Sequence, residues 1–530
     1  MIRSRRLPEP VFLLFALALV TLLPTFAQAD PTAVCTTAAS ETFTNRVTII
    51  NNCSDAASVT MTTPADPTSE GLWALAGIYC SDGHDTCTGY NPFVASKVGQ
   101  KYVLTTAIPS GGSQDLCLPD GGASSGNFLF SLGCTGTDSG TGLPTGCKIG
   151  YDPTTNLALD TLFELTPGCM TEPCTTNPSN GQPLGPTDYF DVSAVNGFTI
   201  PMTLEVDPAN PTAWSTTYQC TFASRSLTPD LGSCPYENFS TISKKYDCPY
   251  LGTANSGKGA YMGVTDGSNN IIACMPFEYW MHNYGPGNGC SVTGSTPTVL
   301  DYYGCTSQNP GTNDAYALEC TWPGCGGPQC SLGPDGTIGS YVISQQTNPT
   351  KTIYAYTAGN LTNNKGVQYT NYVKMLKEMG QEVYTWMFDD FVGTLSCNVP
   401  GASVTLTLCP NGQTKPYDTA SQLWVYNSTT NSCNVTTSGG TTYATQYACM
   451  AANAKYSCQA ESVSKAETGT TSWVYSYFNY CKPLNPATAP AAEMAAGVSL
   501  ASCQSSTCQA TGTLGHPSTG PNSLLLLNGN

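Results

Sequence analysis

Apolar and polar residues alternate along several short stretches of the chain. Phe198, Ile200, Met202, Leu204 and Val206 occupy every second position, Val404, Leu406 and Leu408 repeat the pattern before Cys409, and Val47 and Ile49 repeat it before Cys53. A period of two sends successive side chains to opposite faces, so each run predicts a strand with one buried face. The runs are bounded by Gly, Pro, Asn or Cys, as the short strands of a sandwich are. One stretch has the helical period instead. Tyr369, Tyr372, Val373, Leu376 and Met379 share a helix face, and Gly380 stands where a C-terminal cap belongs. Residues 271–282 also suggest a helix, interrupted by Pro276. Residues 284–350, rich in Gly, Pro, Thr and Cys, read as a long loop tied down by cysteines, with Cys320, Cys325 and Cys330 at equal spacing.

The two ends of the chain differ from its middle. Arg3, Arg5 and Arg6 precede an apolar run over residues 11–23, and Ala27, Gln28 and Ala29 form a small-x-small cleavage site. This predicts a signal peptide over residues 1–29 and an exported, secreted protein beginning near Asp30. No later run is long and apolar enough for a transmembrane anchor. Past Pro410 the composition changes. Residues 411–510 carry Cys433, Cys449, Cys458, Cys481, Cys503 and Cys508, an aromatic run over 473–480 and an Ala/Pro stretch over 483–496. They read as a cysteine-containing extension, closed on itself or bridged to the body, and residues 511–530 as a disordered tail.

Charge and cysteine content narrow the function. All 26 cysteines follow the cleavage site, an even number that in an exported chain reads as disulfides. No CxxC pair occurs and there are 3 histidines, which argues against structural zinc or attached haem, so no metal or cofactor is expected. Without the first 29 residues the 19 basic and 36 acidic side chains become 16 and 35, a formal charge of −19. That sign disfavours nucleic acid and anionic lipid as partners. Only 10% of residues are charged, so the surface is built mainly from neutral polar groups, which suits neutral polar ligands.

Six blocks, in order, give the chain a resemblance to the thaumatin-like proteins, the family that includes the pathogenesis-related thaumatin-type defence proteins. They are residues 41–53 (ETFTNRVTIINNC), Phe163-Glu164-Leu165, residues 188–202 (DYFDVSAVNGFTIPM), residues 231–235 (LGSCP), the helix with Tyr384, Asp389, Asp390 and Cys397, and Cys409-Pro410. The third block departs from the family signature at Thr199, where the signature has asparagine. The resemblance implies a mainly β fold: a flattened antiparallel β-sandwich with a disulfide-rich, partly helical second domain. It covers residues 30–410, with a disulfide-rich insertion at about 207–396. It also implies the bridges Cys53–Cys409 and Cys220–Cys397, with Cys134 and Cys147 as further disulfide cysteines. A second bridge of the family is missing both halves here, one of them at Gly380.

The family's acidic cleft lies between its domains. By resemblance Glu164, Asp191 and Glu382 fall on three of its carboxylate positions, Asn196 replaces a fourth, and the cleft arginine falls near Ser131 and is not retained. A cleft of this kind implies a cell-wall polysaccharide ligand, β-glucan above others, with Glu164, Asp191, Asn196 and Glu382 accepting or donating hydrogen bonds and Tyr384 and Trp386 stacking on sugar faces; core packing is the other reading of these aromatics. Two alternatives stand beside binding. One is weak β-1,3-glucan hydrolysis, with Glu164 as acid and Asp191 or Glu382 as partner, because glycosidases need two carboxyls about 5–9.5 Å apart. The other is a structural or adhesive protein with a degenerate cleft. A monomer is expected. Glu278 and His282, the Asp82-His84-Asp85 loop and the GxSxG pattern at residues 122–126 read more simply as a helix-surface pair, a turn and a flexible loop.

Overall fold

The computed structural model describes residues 43–63, 72–73, 93–152, 159–177, 181–206, 220, 224–237, 260–276, 341–345, 352–356, 370–385, 393–397, 403–436, 440–465 and 474–505. The expected signal peptide (residues 1–29), residues 511–530, Tyr369, Trp386, Asp389, Asp390, the Glu278–His282 pair and residues 82–85 lie outside them.

The alternating runs become three neighbouring strands of one sheet, and a second sheet packs against it. A five-stranded sheet orders Ser224–Leu227, Met202–Val206, Val404–Leu408, Phe43–Asn51 and Ser113–Pro119. An eight-stranded sheet orders Leu395–Cys397, Asp188–Ser193, Leu162–Thr166, Gly126–Leu132, Ala57–Thr62, Lys101–Leu104 and Phe93–Ala95, with Ile149–Gly150 paired to the Gly126 strand. Pairing is antiparallel throughout except between Phe43–Asn51 and Val404–Leu408, which run parallel, Ile49 beside Leu406. Val47, Ile49, Leu116, Met202, Leu204, Leu406 and Leu408 from the first sheet share one buried cluster with Val59, Phe128, Phe130, Phe163, Phe190 and Val192 from the second. Burying each large apolar side chain contributes about 1.5–3 kcal/mol, and this two-layer core holds the sandwich together.

One polar pair crosses that core. The partners Asn45/Cys117 and Val47/Leu116 leave Arg46 as the extra residue of a β-bulge. The bulge lets two successive side chains, Arg46 and Val47, both face inward. Arg46 meets Asp188 of the opposite sheet in an ion pair with both side chains fully buried, and Asp188 Oδ1 also accepts the Gly168 N–H at 2.6 Å.

The helix forms at Asn371–Glu378, with the Thr370 hydroxyl capping Val373 N–H and Tyr372, Val373, Met375 and Leu376 buried. Gly380 has φ +76°, the left-handed conformation that favours glycine just past a helix end. Tyr372 donates its hydroxyl hydrogen to the Ala194 carbonyl at 2.7 Å, tying the helix to the loop that follows the Asp188 strand.

The helix expected over 271–282 is a strand at its start instead. Ile271–Cys274 pairs with Gly263–Thr265. Asp266 accepts the Ser268 and Asn270 N–H groups, each at 2.8 Å, closing a hairpin turn that feeds two β-branched residues into the strand. Cys274 is then stapled to Cys234. In the stretch expected to be loop, Tyr341–Gln345 pairs with Thr352–Tyr356. Residues 122–126 are buried, and the Trp73 indole donates to the Ser124 carbonyl at 2.6 Å.

The structure contains the bridges Cys53–Cys409, Cys220–Cys397 and Cys134–Cys147, and adds Cys169–Cys174. Beyond Pro410, Trp424, Cys433, Cys449, Met450, Tyr456, Cys481, Leu500 and Cys503 form a second, separate hydrophobic cluster. Cys433–Cys449 and Cys481–Cys503 close it. Among the described residues no helix is long and apolar enough to cross a membrane.

Candidate functional site

Strand register places the first two candidate carboxylates. Glu164 lies directly opposite Asp191 on one side and Asn127 on the other. Directly opposed residues share a face with Cβ atoms about 4.5–5.5 Å apart, so the row brings two carboxylates and an amide together. Phe163, Leu165, Phe190 and Val192 point into the sandwich core, so by alternation this row stands on the outer face of the eight-stranded sheet. Glu164 is half-buried there, whereas Asp191 is fully buried.

Glu382 sits in different surroundings, two residues before Tyr384, which bridges in parallel to Ser193. Its carboxylate is held by Lys482, 100 residues further along the chain. Arg225, buried on the edge strand of the five-stranded sheet, approaches it to 3.8 Å. Partial burial pushes the Glu382 pKa up, but Lys482, then Arg225 and Lys377, outweigh it and hold the carboxyl below its ordinary value. Glu382 is therefore an ionised, neutralised group. Its side chain remains 38% exposed, and it lines a groove of about 560 Å³ that contains neither Glu164 nor Asp191.

The other candidates are placed as follows. Tyr384 is 3% exposed, its hydroxyl bonded to Thr394 Oγ1 and its ring packed on the backbone of Gly393, where a Cβ would collide. The stacking role expected of Tyr384 is thus corrected: the ring fills the interior and offers no face to a sugar. Asn196 is half-buried in the turn after the Asp188 strand. Gly197 follows with φ +110° and would bring a Cβ to 2.7 Å from the Cys274 carbonyl, so the turn requires glycine. Thr199 donates to Asp160 Oδ1 at 2.9 Å, and burial pushes the Asp160 pKa well up. Ser131 is buried and donates to the Tyr151 carbonyl at 2.6 Å. Among the described residues no cluster of His, Cys, Asp or Glu is arranged to hold a metal.

Two buried carboxylates absent from the sequence reading join the body to residues beyond 410. Glu378, on the helix, accepts the Tyr447 hydroxyl at 2.6 Å and the Gln504 amide at 2.7 Å. Asp230 accepts the Gln446 N–H at 3.1 Å and the Ser233 hydroxyl, and burial raises its pKa to about 6. Neither sits in a motif. Their partners beyond residue 410 lie 69 to 216 residues away, so no local signal marks the connection.

No family model matches the sequence, and no curated protein is similar to it. Among solved structures, a laminaripentaose-producing β-1,3-glucanase in complex with laminaritetraose is similar at 15% identity and a TM-score of 0.24. The match covers 48% of this chain and 57% of that one, so the chain spans just over half of that structure's length. A likeness at that level leaves the functional reading to the site itself.

Proposed function

We propose that the chain is a secreted, thaumatin-like protein of the defence type that binds cell-wall polysaccharide without cleaving it, with β-1,3-glucan the first ligand to test. Residues 411–510 form an appended unit with its own small core. The family reading is supported by the residue blocks and by Cys53–Cys409, which ties the strands that open and close the sandwich. The observation that carries binding over hydrolysis is the state of the three carboxylates. Asp191 has no exposed surface, and Glu382 is neutralised by Lys482 and Arg225. Hydrolysis needs one protonated and one ionised carboxyl flanking the same bond. Here neither possible partner of Glu164 is free to play that part, whereas hydrogen bonding to sugar hydroxyls asks only for polar groups at a surface.

The test is co-sedimentation of the full chain with insoluble β-1,3-glucan, with reducing sugar measured in the supernatant. Retention without sugar release is the expected result. Sugar release that disappears in Glu164→Gln establishes the hydrolase, and no retention leaves a structural or adhesive role.

A further inference from the structure

The groove beside Glu382 has walls from two parts of the chain. Ser224, Arg225, Ser226, Gly380 and Glu382 form one, and residues between Thr430 and Glu493 form the other, including Gln459, Lys482 and Asn485. The second wall is fixed in place. Glu378 and Asp230, both buried, hold Tyr447, Gln504 and the first turn of the Gln446–Asn453 helix. Pro483 lies 2.9 Å from where a Cβ on Gly380 would stand, so the two walls are in close contact at one end. At about 560 Å³ the groove falls within the usual size of ligand clefts, about 300–1,000 Å³.

Its charges balance. Arg225 and Lys482 are matched by Glu382 and Glu493, and the remaining polar lining is hydroxyl and amide. This is unusual in a chain of formal charge −17. A groove with no net charge and many hydroxyl and amide groups offers little long-range attraction to cations or anions, and fits a ligand that is itself neutral and rich in hydroxyls. Without Lys482, Glu382 and Glu493 would outnumber Arg225, and Glu382 would lose its nearest cation.

We infer that this groove, built jointly by the sandwich and the C-terminal segment, is a binding site for a neutral glycan chain, and that Lys482 sets its preference by neutralising Glu382. The inference rests on the reading of the protein as a polysaccharide binder and assigns the ligand class and place. Lys482 contacts the ligand side of the groove and also positions Glu382, so its variants change ligand preference rather than only affinity.

The experiment is calorimetric titration of the full chain with neutral β-1,3-gluco-oligosaccharide and with cationic chitosan oligosaccharide of similar length. The wild type is expected to bind the neutral ligand and not the cationic one. Lys482→Glu should weaken the neutral ligand and gain the cationic one, each by about tenfold, with the gain lost at high salt. Lys482→Arg should retain the wild-type preference. Ser457→Trp, which fills the groove from the C-terminal wall, should weaken the neutral ligand by about tenfold. Circular dichroism confirms that each variant is folded. If the wild type binds the neutral ligand and neither Lys482→Glu nor Ser457→Trp changes that, the glycan sits elsewhere and the inference is overturned while polysaccharide binding stands. If the wild type binds neither ligand, both are overturned.

Discussion

Replacing Arg46 with Met should strand a charge inside the sandwich. Arg46 and Asp188 come from opposite sheets, and both side chains have 0% exposure. With the guanidinium gone, Asp188 keeps the Gly168 N–H at 2.6 Å but loses the cation that balances it. Removing one partner of a buried pair costs about 3–5 kcal/mol, because the remaining charge is left uncompensated in a medium that solvates it poorly. That is a large share of the roughly 5–15 kcal/mol that keeps a domain folded. Asp188→Asn alone should be destabilising for the mirror reason. The double variant removes both charges and keeps an acceptor for Gly168, so it should lose less than the sum of the two singles by about 2 kcal/mol or more. Urea denaturation followed by tryptophan fluorescence, to which Trp73 contributes from inside the sandwich, fully buried and edge-on to Phe128, reads the loss. A loss below about 1 kcal/mol for Arg46→Met, or strict additivity in the double variant, would refute the assignment of this pair as the charge balance of the core.

Three further outcomes follow from the same structure. Asp230, with its pKa raised from 3.8 to about 6, favours the folded chain most below pH 4. Its contribution falls as pH rises through 6, by up to about 3 kcal/mol, so Asp230→Asn should flatten the pH dependence of Tm between pH 4 and 6, and an unchanged slope contradicts the burial argument. Replacing Cys53 and Cys409 together by Ser opens a closure of 356 residues and should cost about 2–5 kcal/mol in the same urea assay. Tyr447→Phe removes a part-buried hydrogen bond to the Glu378 carboxylate and should cost about 1–2 kcal/mol, seen first as faster proteolysis after residue 410, with the sandwich transition nearly unmoved.

The parts of the fold visible in the sequence are those that local periodicity encodes. Met202, Leu204 and Val206 alternate and form a strand with those three side chains buried. Phe198 and Ile200 are buried too, but the chain bends there, because Phe198 bridges to Cys274 instead of continuing the strand. The helix was legible from its face and its closing glycine. Residues 271–274 misled because apolar Ile, Ile and Ala fit either period, and the deciding signal is the Asp266–Asn270 turn before them. The site was legible only in part. The residue blocks marked Glu164 and Asp191, and the pairing of Leu162–Thr166 with Asp188–Ser193 sets them opposite each other. Lys482, Arg225 and the groove depend on contacts across a hundred residues or more, which no spacing announces. Gly380 gains a second meaning from the structure: its left-handed φ suits the helix end, and Pro483 of the C-terminal segment presses on it where a larger side chain would not fit.

Retention on the polysaccharide and cleavage of it can be separated in one tube. The full chain is incubated with insoluble β-1,3-glucan, and bound protein and soluble reducing ends are measured together over time. Saturable retention with reducing ends no higher than in a protein-free control is the predicted result. A steady rise in reducing ends, or protein that stays in the supernatant at every glucan concentration, would contradict the account.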